Sequence, residues 1–187
     1  MLGYVAGVLA LAGHSMYILA TLKKNNQPKP VTWGIWALTD WGLLASFILS
    51  GAGDTRWLQL VFAMGNTIVA ILSIKGGKIE LTRLNFTCLA FSTVAIITLV
   101  LLRNPQAALL IGLFSKSVGF VPTGLKLWYR TEGREYYPAW MLWTIANLVN
   151  LIAVRYLISL EVLLPLQYST QCILVLLLNL RVPRVPS

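Results

Sequence analysis

Five polar side chains, His14, Asp40, Asn66, Lys116 and Asn147, each stand near the middle of a long apolar run. A carboxylate, an ammonium, an imidazole and two amides supply directed hydrogen bonds, and the imidazole and carboxylate can also pass a proton. They do not assemble into a reaction centre. The chain has one histidine, so no di-histidine metal pair is available, and no Ser-His-Asp set or Gly-rich phosphate loop can be built. The chemistry implied is that of holding a polar molecule, with His14 and Asp40 as candidates for a proton relay; no enzyme, metal or cofactor is implied.

Aromatic residues stand beside these groups at helical spacing. "PVTWGIWALTD" (30–40) and "YPAWMLWTIAN" (137–147) place Trp33, Trp36 and Asp40 on one stripe and repeat it as Trp140, Trp143 and Asn147, 107 positions later. A pair of indoles can sandwich a planar or CH-rich face while Asp40, Asn66, Lys116 and Asn147 bond its edges, which suits a sugar, a nucleoside or a small vitamin-like heterocycle. Plainer readings stand beside this one. Trp33 and Trp140 are expected as interfacial belt anchors, and Trp36 and Trp143 can also serve as packing. Asp40 and Lys116 can form a buried ion pair that only fixes helices, His14 can bond a backbone carbonyl, and the two Asn residues can bridge helices. Glu80, Glu132 and Glu135 read as solvated loop residues and Glu161 as a cap on the last helix.

The elements that must position these residues are membrane spans. Hydrophobic residues make up 57% of the 187, charged ones 11%, and mean hydropathy is +0.73. A bilayer core needs about 20 helical residues, and the sequence offers seven such runs, at 3–22, 31–50, 55–74, 84–102, 106–127, 137–157 and 159–180. They lack the strict alternation of barrel strands, so the fold class is an all-α integral membrane protein of seven transmembrane helices. The first run has no basic residue before it and is expected to stay as a helix rather than a cleaved signal. Cys88 and Cys172 lie inside spans and are not expected to pair.

The net charge of +9 is distributed by side. Eleven of fifteen cations follow helices one, three, five and seven, while Arg56, Arg103 and Arg155 stand singly on the other side. The positive-inside rule then puts the C-terminus in the cytoplasm and the N-terminus outside, in a plasma (inner) membrane. Charges spread over four short connections make a poor nucleic-acid face, and the partners expected are the lipid bilayer and a small solute.

Residues 13–23 align with 115–126 as 30–40 align with 137–147, so both copies start on the same side of the membrane. The expected organisation is two parallel three-helix repeats, 1–80 and 105–187, joined by a linker helix in 81–104. This organisation, with "GFVPTGLKLWYRTEGREYYPAW" (119–140), resembles the SWEET and PQ-loop superfamily of small-solute transporters. Pro122 and Lys126 stand at the helix-breaking proline and the following cation of the PQ-loop pattern, Thr123 stands where that pattern has Gln, and the first repeat, 16–33, has no proline inside helix one. The related vitamin-precursor carriers of the PnuC type are similar in fold and in Trp-rich helices. The resemblance implies a carrier working by alternating access at a midplane site between two bundles, with Pro122 as a hinge. The alternative on the same fold is a non-transporting receptor or trafficking protein. Seven helices suffice for a pathway in one chain, and similar folds also form homo-oligomers.

Overall fold

A computed structural model describes residues 1–26, 28–51, 53–75, 82–129, 135–154 and 162–181, apart from the side chain at position 122. Seven helices run as α1 (Leu2–Leu22), α2 (Pro30–Leu49), α3 (Arg56–Ile74), α4 (Arg83–Leu101), α5 (Pro105–Tyr129), α6 (Tyr137–Ala153) and α7 (Leu163–Arg181), and no strand occurs among the described residues. Their starts follow local chemistry. Pro30, Pro105 and Pro138 occupy first turns, where no backbone N–H is required. Thr82 caps α4 by accepting from the Asn85 amide, and Asn104 does the same for α5 through Ala107.

Six of the helices are long and apolar enough to cross a membrane, which makes the chain an integral membrane protein. The sixth helix is the exception in length, with 17 residues. It was expected to reach residue 157 but stops at Ala153, because Val154 turns to an extended backbone (φ −65°, ψ 126°). Helix seven is described from Leu163; its expected first residues from 159, with Glu161, the expected cap, lie outside the described residues, as do Glu80 and Glu132. α5 runs without interruption through position 122.

α3 packs between α1 and α2, α7 packs between α5 and α6, and two seams join them, α1 against α6 and α2 against α5. α4 lies outside, on α5 and α2. It is held there by hydroxyls: Thr39 and Ser92 share a hydrogen bond of 2.7 Å, Ser92 and Ser115 another of 2.7 Å, and Ser115 also donates to the Cys88 carbonyl. In lipid no hydrophobic gain drives helices together, so close approach depends on small residues. α1 supplies them as a buried stripe of Gly3, Ala6, Gly7, Ala10, Gly13 and Ala20, which brings its backbone against α3 and α6 with His14 and Tyr17 in the same face.

Candidate functional site

Asp40 and Lys116 form an ion pair at the centre of the bundle, with whole-residue exposures of 0% and 2%. A buried pair of this kind persists only where further hydrogen bonds satisfy both ions. Asp40 Oδ1 accepts from Lys116 Nζ, from the Tyr168 hydroxyl and, at 3.1 Å, from Gln59 Nε2; Oδ2 accepts from Asn66 Nδ2. Gln59 Nε2 also donates to the Asp40 backbone carbonyl at 3.1 Å. The carboxylate thus ties α2 to α3, α5 and α7. The ammonium of Lys116 in turn lies 4.2 Å from the centre of the Tyr168 ring, with Trp36 and Phe62 at 5.8 and 5.9 Å. Aromatic faces carry negative quadrupole potential and help to hold the charge out of water.

A layer of four indoles lies next to this pair. Trp33 meets Trp36 at 5.2 Å within α2, and Trp140 meets Trp143 at 5.1 Å within α6. The two helices then exchange partners, Trp33 with Trp143 at 6.2 Å and Trp36 with Trp140 at 6.5 Å. Between this layer and the ion pair is a small cavity, walled by the four indoles with Phe62, Phe120 and Tyr168, and given polar edges by Lys116, Asn66 and Gln171. The space open to a water-sized molecule within it is about 20 Å³, room for about one water with the helices packed as they are. The indole N–H of Trp36 is buried and has no hydrogen-bond partner.

Of the residues singled out in the sequence, Trp36, Asn66, Lys116 and Trp143 line this cavity. Asp40 stands behind them, its oxygens occupied by donors from its neighbours. Asn147 does not line the cavity; its Nδ2 donates to the Trp143 carbonyl at 2.7 Å, and its Oδ1 is buried without a partner. Trp36 and Trp143 are diagonal members of the indole layer rather than two facing plates. His14 joins the network through Asn66 at 3.1 Å, and Trp143 Nε1 donates to it at 3.1 Å.

Two expectations are corrected. Trp33 and Trp140, read as belt anchors, are each 4% exposed and belong to the core. Sequence spacing fixes the stripe they share but not which way the stripe faces, and packing of α2 and α6 turns it inward. Glu135, read as a solvated loop residue, is 8% exposed. Lys126 pairs with its Oε1 at 2.9 Å, Tyr17 OH and Trp140 Nε1 donate to its Oε2 at 3.1 and 3.4 Å, and Asn179 bonds both its backbone N–H and its carbonyl. Glu135 thereby joins α1, α5, α6 and α7 at the Lys-rich end of the bundle. A second small cavity, with room for about one water (~20 Å³), lies there among Lys29, Thr32, Thr123, Lys126 and Glu135, and Trp33 lines both cavities.

Tyr168, Gln59 and Phe62 were not anticipated. One signal was available: Gln59 and Asn66 are seven residues apart, two turns on one face of α3, so two amides look the same way. Comparison with known family models, curated proteins and solved structures finds no match for this chain.

Proposed function

We propose that this protein is a membrane transporter for a small polar solute with a planar or CH-rich face, a sugar, nucleoside or vitamin-like molecule, bound between the two helix bundles. The observation that carries the reading is the lining of the small cavity between the indole layer and the Asp40–Lys116 pair, which combines stacking surfaces with a few directed polar groups and would widen to take a solute as the bundles part. The helix packing supports a repeat. Exchanging α1, α2 and α3 for α5, α6 and α7 reproduces every major contact among these six helices, α3 and α7 being the middle helices and α1–α6 and α2–α5 the two equivalent seams, whereas α4 packs on one side only, against α5 and α2. α4 is then the linker helix.

In this reading the two bundles rock about the cavity and open it to one side at a time. Glu135 closes the Lys-rich end, which the positive-inside rule makes cytoplasmic, and Pro122, which leaves one backbone acceptor of α5 without its N–H partner, is where that helix would bend as the end parts. The test is a thermal-shift panel of sugars, nucleosides, vitamins and amino acids on the purified protein, followed by uptake into proteoliposomes with wild type and Trp36→Phe. A solute that raises the melting temperature and accumulates in the vesicles supports the reading. Stabilisation without uptake favours a receptor on this fold, and neither effect with any solute ends the proposal.

A further inference from the structure

His14 is held by hydrogen bonds that no single protonation state can make. Its Nε2 lies 3.1 Å from Asn66 Oδ1. The Asn66 amide is not free to turn, because its Nδ2 donates to Asp40 Oδ2, so the oxygen faces His14 and Nε2 must carry a proton. The other nitrogen, Nδ1, has two neighbours of opposite demand. Trp143 Nε1, at 3.1 Å, can only donate and needs a lone pair there; the Ala10 carbonyl, at 3.0 Å, can only accept and needs an N–H. One atom faces two mutually exclusive partners.

We propose that His14 is a proton-binding site whose occupancy selects which partner Nδ1 holds, and so whether the Trp143 indole is tethered to α1. In the neutral ring, Nε2 donates to Asn66 and Nδ1 accepts from Trp143. When Nδ1 takes up a proton from water, the ring donates to the Ala10 carbonyl one turn back in its own helix. The Trp143 N–H then points at another N–H and loses its acceptor. Loss of the proton to water restores the first arrangement. No other atom is transferred.

The surroundings hold the imidazole in place while leaving its proton as the variable. A Cβ at Gly65 of α3 would lie 2.1 Å from the ring, so only glycine leaves the niche in which it sits, and Phe62 closes that niche edge-on at 5.1 Å. A Cβ at Gly13 would lie 2.7 Å from Trp143 Nε1, so the approach of the indole also depends on a missing side chain. The helices packed against α1 here are α3, facing His14 with Asn66, Gly65 and Phe62, and α6, facing it with Trp143; none of these groups ionises in the ordinary pH range. The charges that act on the ring are Asp40 of α2, through Asn66, and Lys116 of α5, and these are paired with each other. Tyr168 of α7 reaches the network only through Asp40. Because Trp143 lines the central cavity, the state of His14 is transmitted to that wall. The inference rests on His14, Asn66, Ala10 and Trp143 and does not require that a solute be moved.

His14 is the only histidine in the chain, so the protein labelled with 15N-histidine in detergent or nanodiscs gives the two ring-nitrogen signals of one imidazole. At alkaline pH the expected form has Nε2 protonated and Nδ1 bare. On acidification Nδ1 gains its proton, and one indole N–H resonance, the one missing in Trp143→Phe, moves with the same midpoint. In Trp143→Phe a bond that only the neutral ring accepts is gone, so protonation becomes easier and the midpoint rises by on the order of half to one pH unit. If that variant does not fold, hydrogen-bond coupling between Trp143 Nε1 and His14 Nδ1 in doubly labelled wild type identifies the same pair. A proton on Nδ1 with Nε2 bare at alkaline pH, an indole signal indifferent to the His14 transition, or no transition between about pH 4 and 10 overturns the proposal.

Discussion

Lys116 and Asp40, 76 positions apart in the chain, meet as an ion pair whose side chains are 3% and 0% exposed. The pair joins α2 to α5 across one of the two seams, and its energetics set the first expectation. Lys116→Met leaves the carboxylate buried with three neutral donors and no counter-charge, which destabilises the fold by about 3–5 kcal/mol. Asp40→Asn combined with Lys116→Met removes both charges and recovers most of that loss. Chemical or thermal unfolding in detergent reads both variants; an unchanged melting temperature in Lys116→Met contradicts the pairing.

Gly65→Ala gives a test in which the sign is diagnostic. Alanine ordinarily stabilises a helix interior by about 0.8–1 kcal/mol over glycine, and Gly34→Ala on α2, with nothing within 4 Å of its added Cβ, is expected to be neutral or to gain up to that amount. At Gly65 the added carbon meets the His14 ring at 2.1 Å, and displacing a packed ring costs about 1–3 kcal/mol. The two variants should therefore move the unfolding midpoint in opposite directions, or at least differ clearly. Equal midpoints would remove Gly65 as the seat of the imidazole.

Breaking the bonds to Glu135 should loosen the Lys-rich end without unfolding the bundle. Tyr17→Phe deletes one donor and is expected to lose about 1 kcal/mol; Glu135→Ala deletes the acceptor of three side chains and loses more. Cys172 lines the central cavity, is 3% exposed and is a free thiol. In a Cys88→Ser background its modification by a soluble thiol reagent should quicken about fivefold in Tyr17→Phe, as a bond of that strength implies if opening limits access. Labelling at the wild-type rate in both variants would show that Glu135 does not close this end.

Asn147→Leu is expected to leave stability unchanged or to raise it by up to about 1 kcal/mol, since it removes a buried amide oxygen that has no partner. A loss of several degrees in melting temperature would mean that the oxygen is satisfied by a bound water or solute.

The helices were legible because apolar runs of the right length are separated by short polar breaks and, at α2, α5 and α6, by first-turn prolines. The stripe of Trp33, Trp36 and Asp40 was legible from spacing alone, and so was the depth of Lys116 and His14. The partners were not. Gln59 and Tyr168 sit quietly in apolar runs, since an uncharged amide or phenol costs little enough to need no visible explanation. Glu135 was hidden for the opposite reason: it follows Arg130, Glu132 and Arg134 in a charged stretch where nothing local marks one carboxylate as the one that turns inward. The inward rotation of Trp33 and Trp140 is a property of the α1–α6 and α2–α5 seams, which exist only once the bundles meet.

The exchange of partners in the indole layer has a spectroscopic consequence. Trp33 with Trp143 and Trp36 with Trp140 are contacts between α2 and α6, helices of different bundles, at centroid separations of 6.2 and 6.5 Å. Chromophores so close and so inclined share their excited states, and the resulting signed couplet in circular dichroism depends on their mutual orientation. Parting the bundles would break both cross pairs together while leaving Trp33–Trp36 and Trp140–Trp143 intact. For the proposed rocking of the two bundles, the loss of that couplet would serve as an optical gauge of opening, readable without any added label.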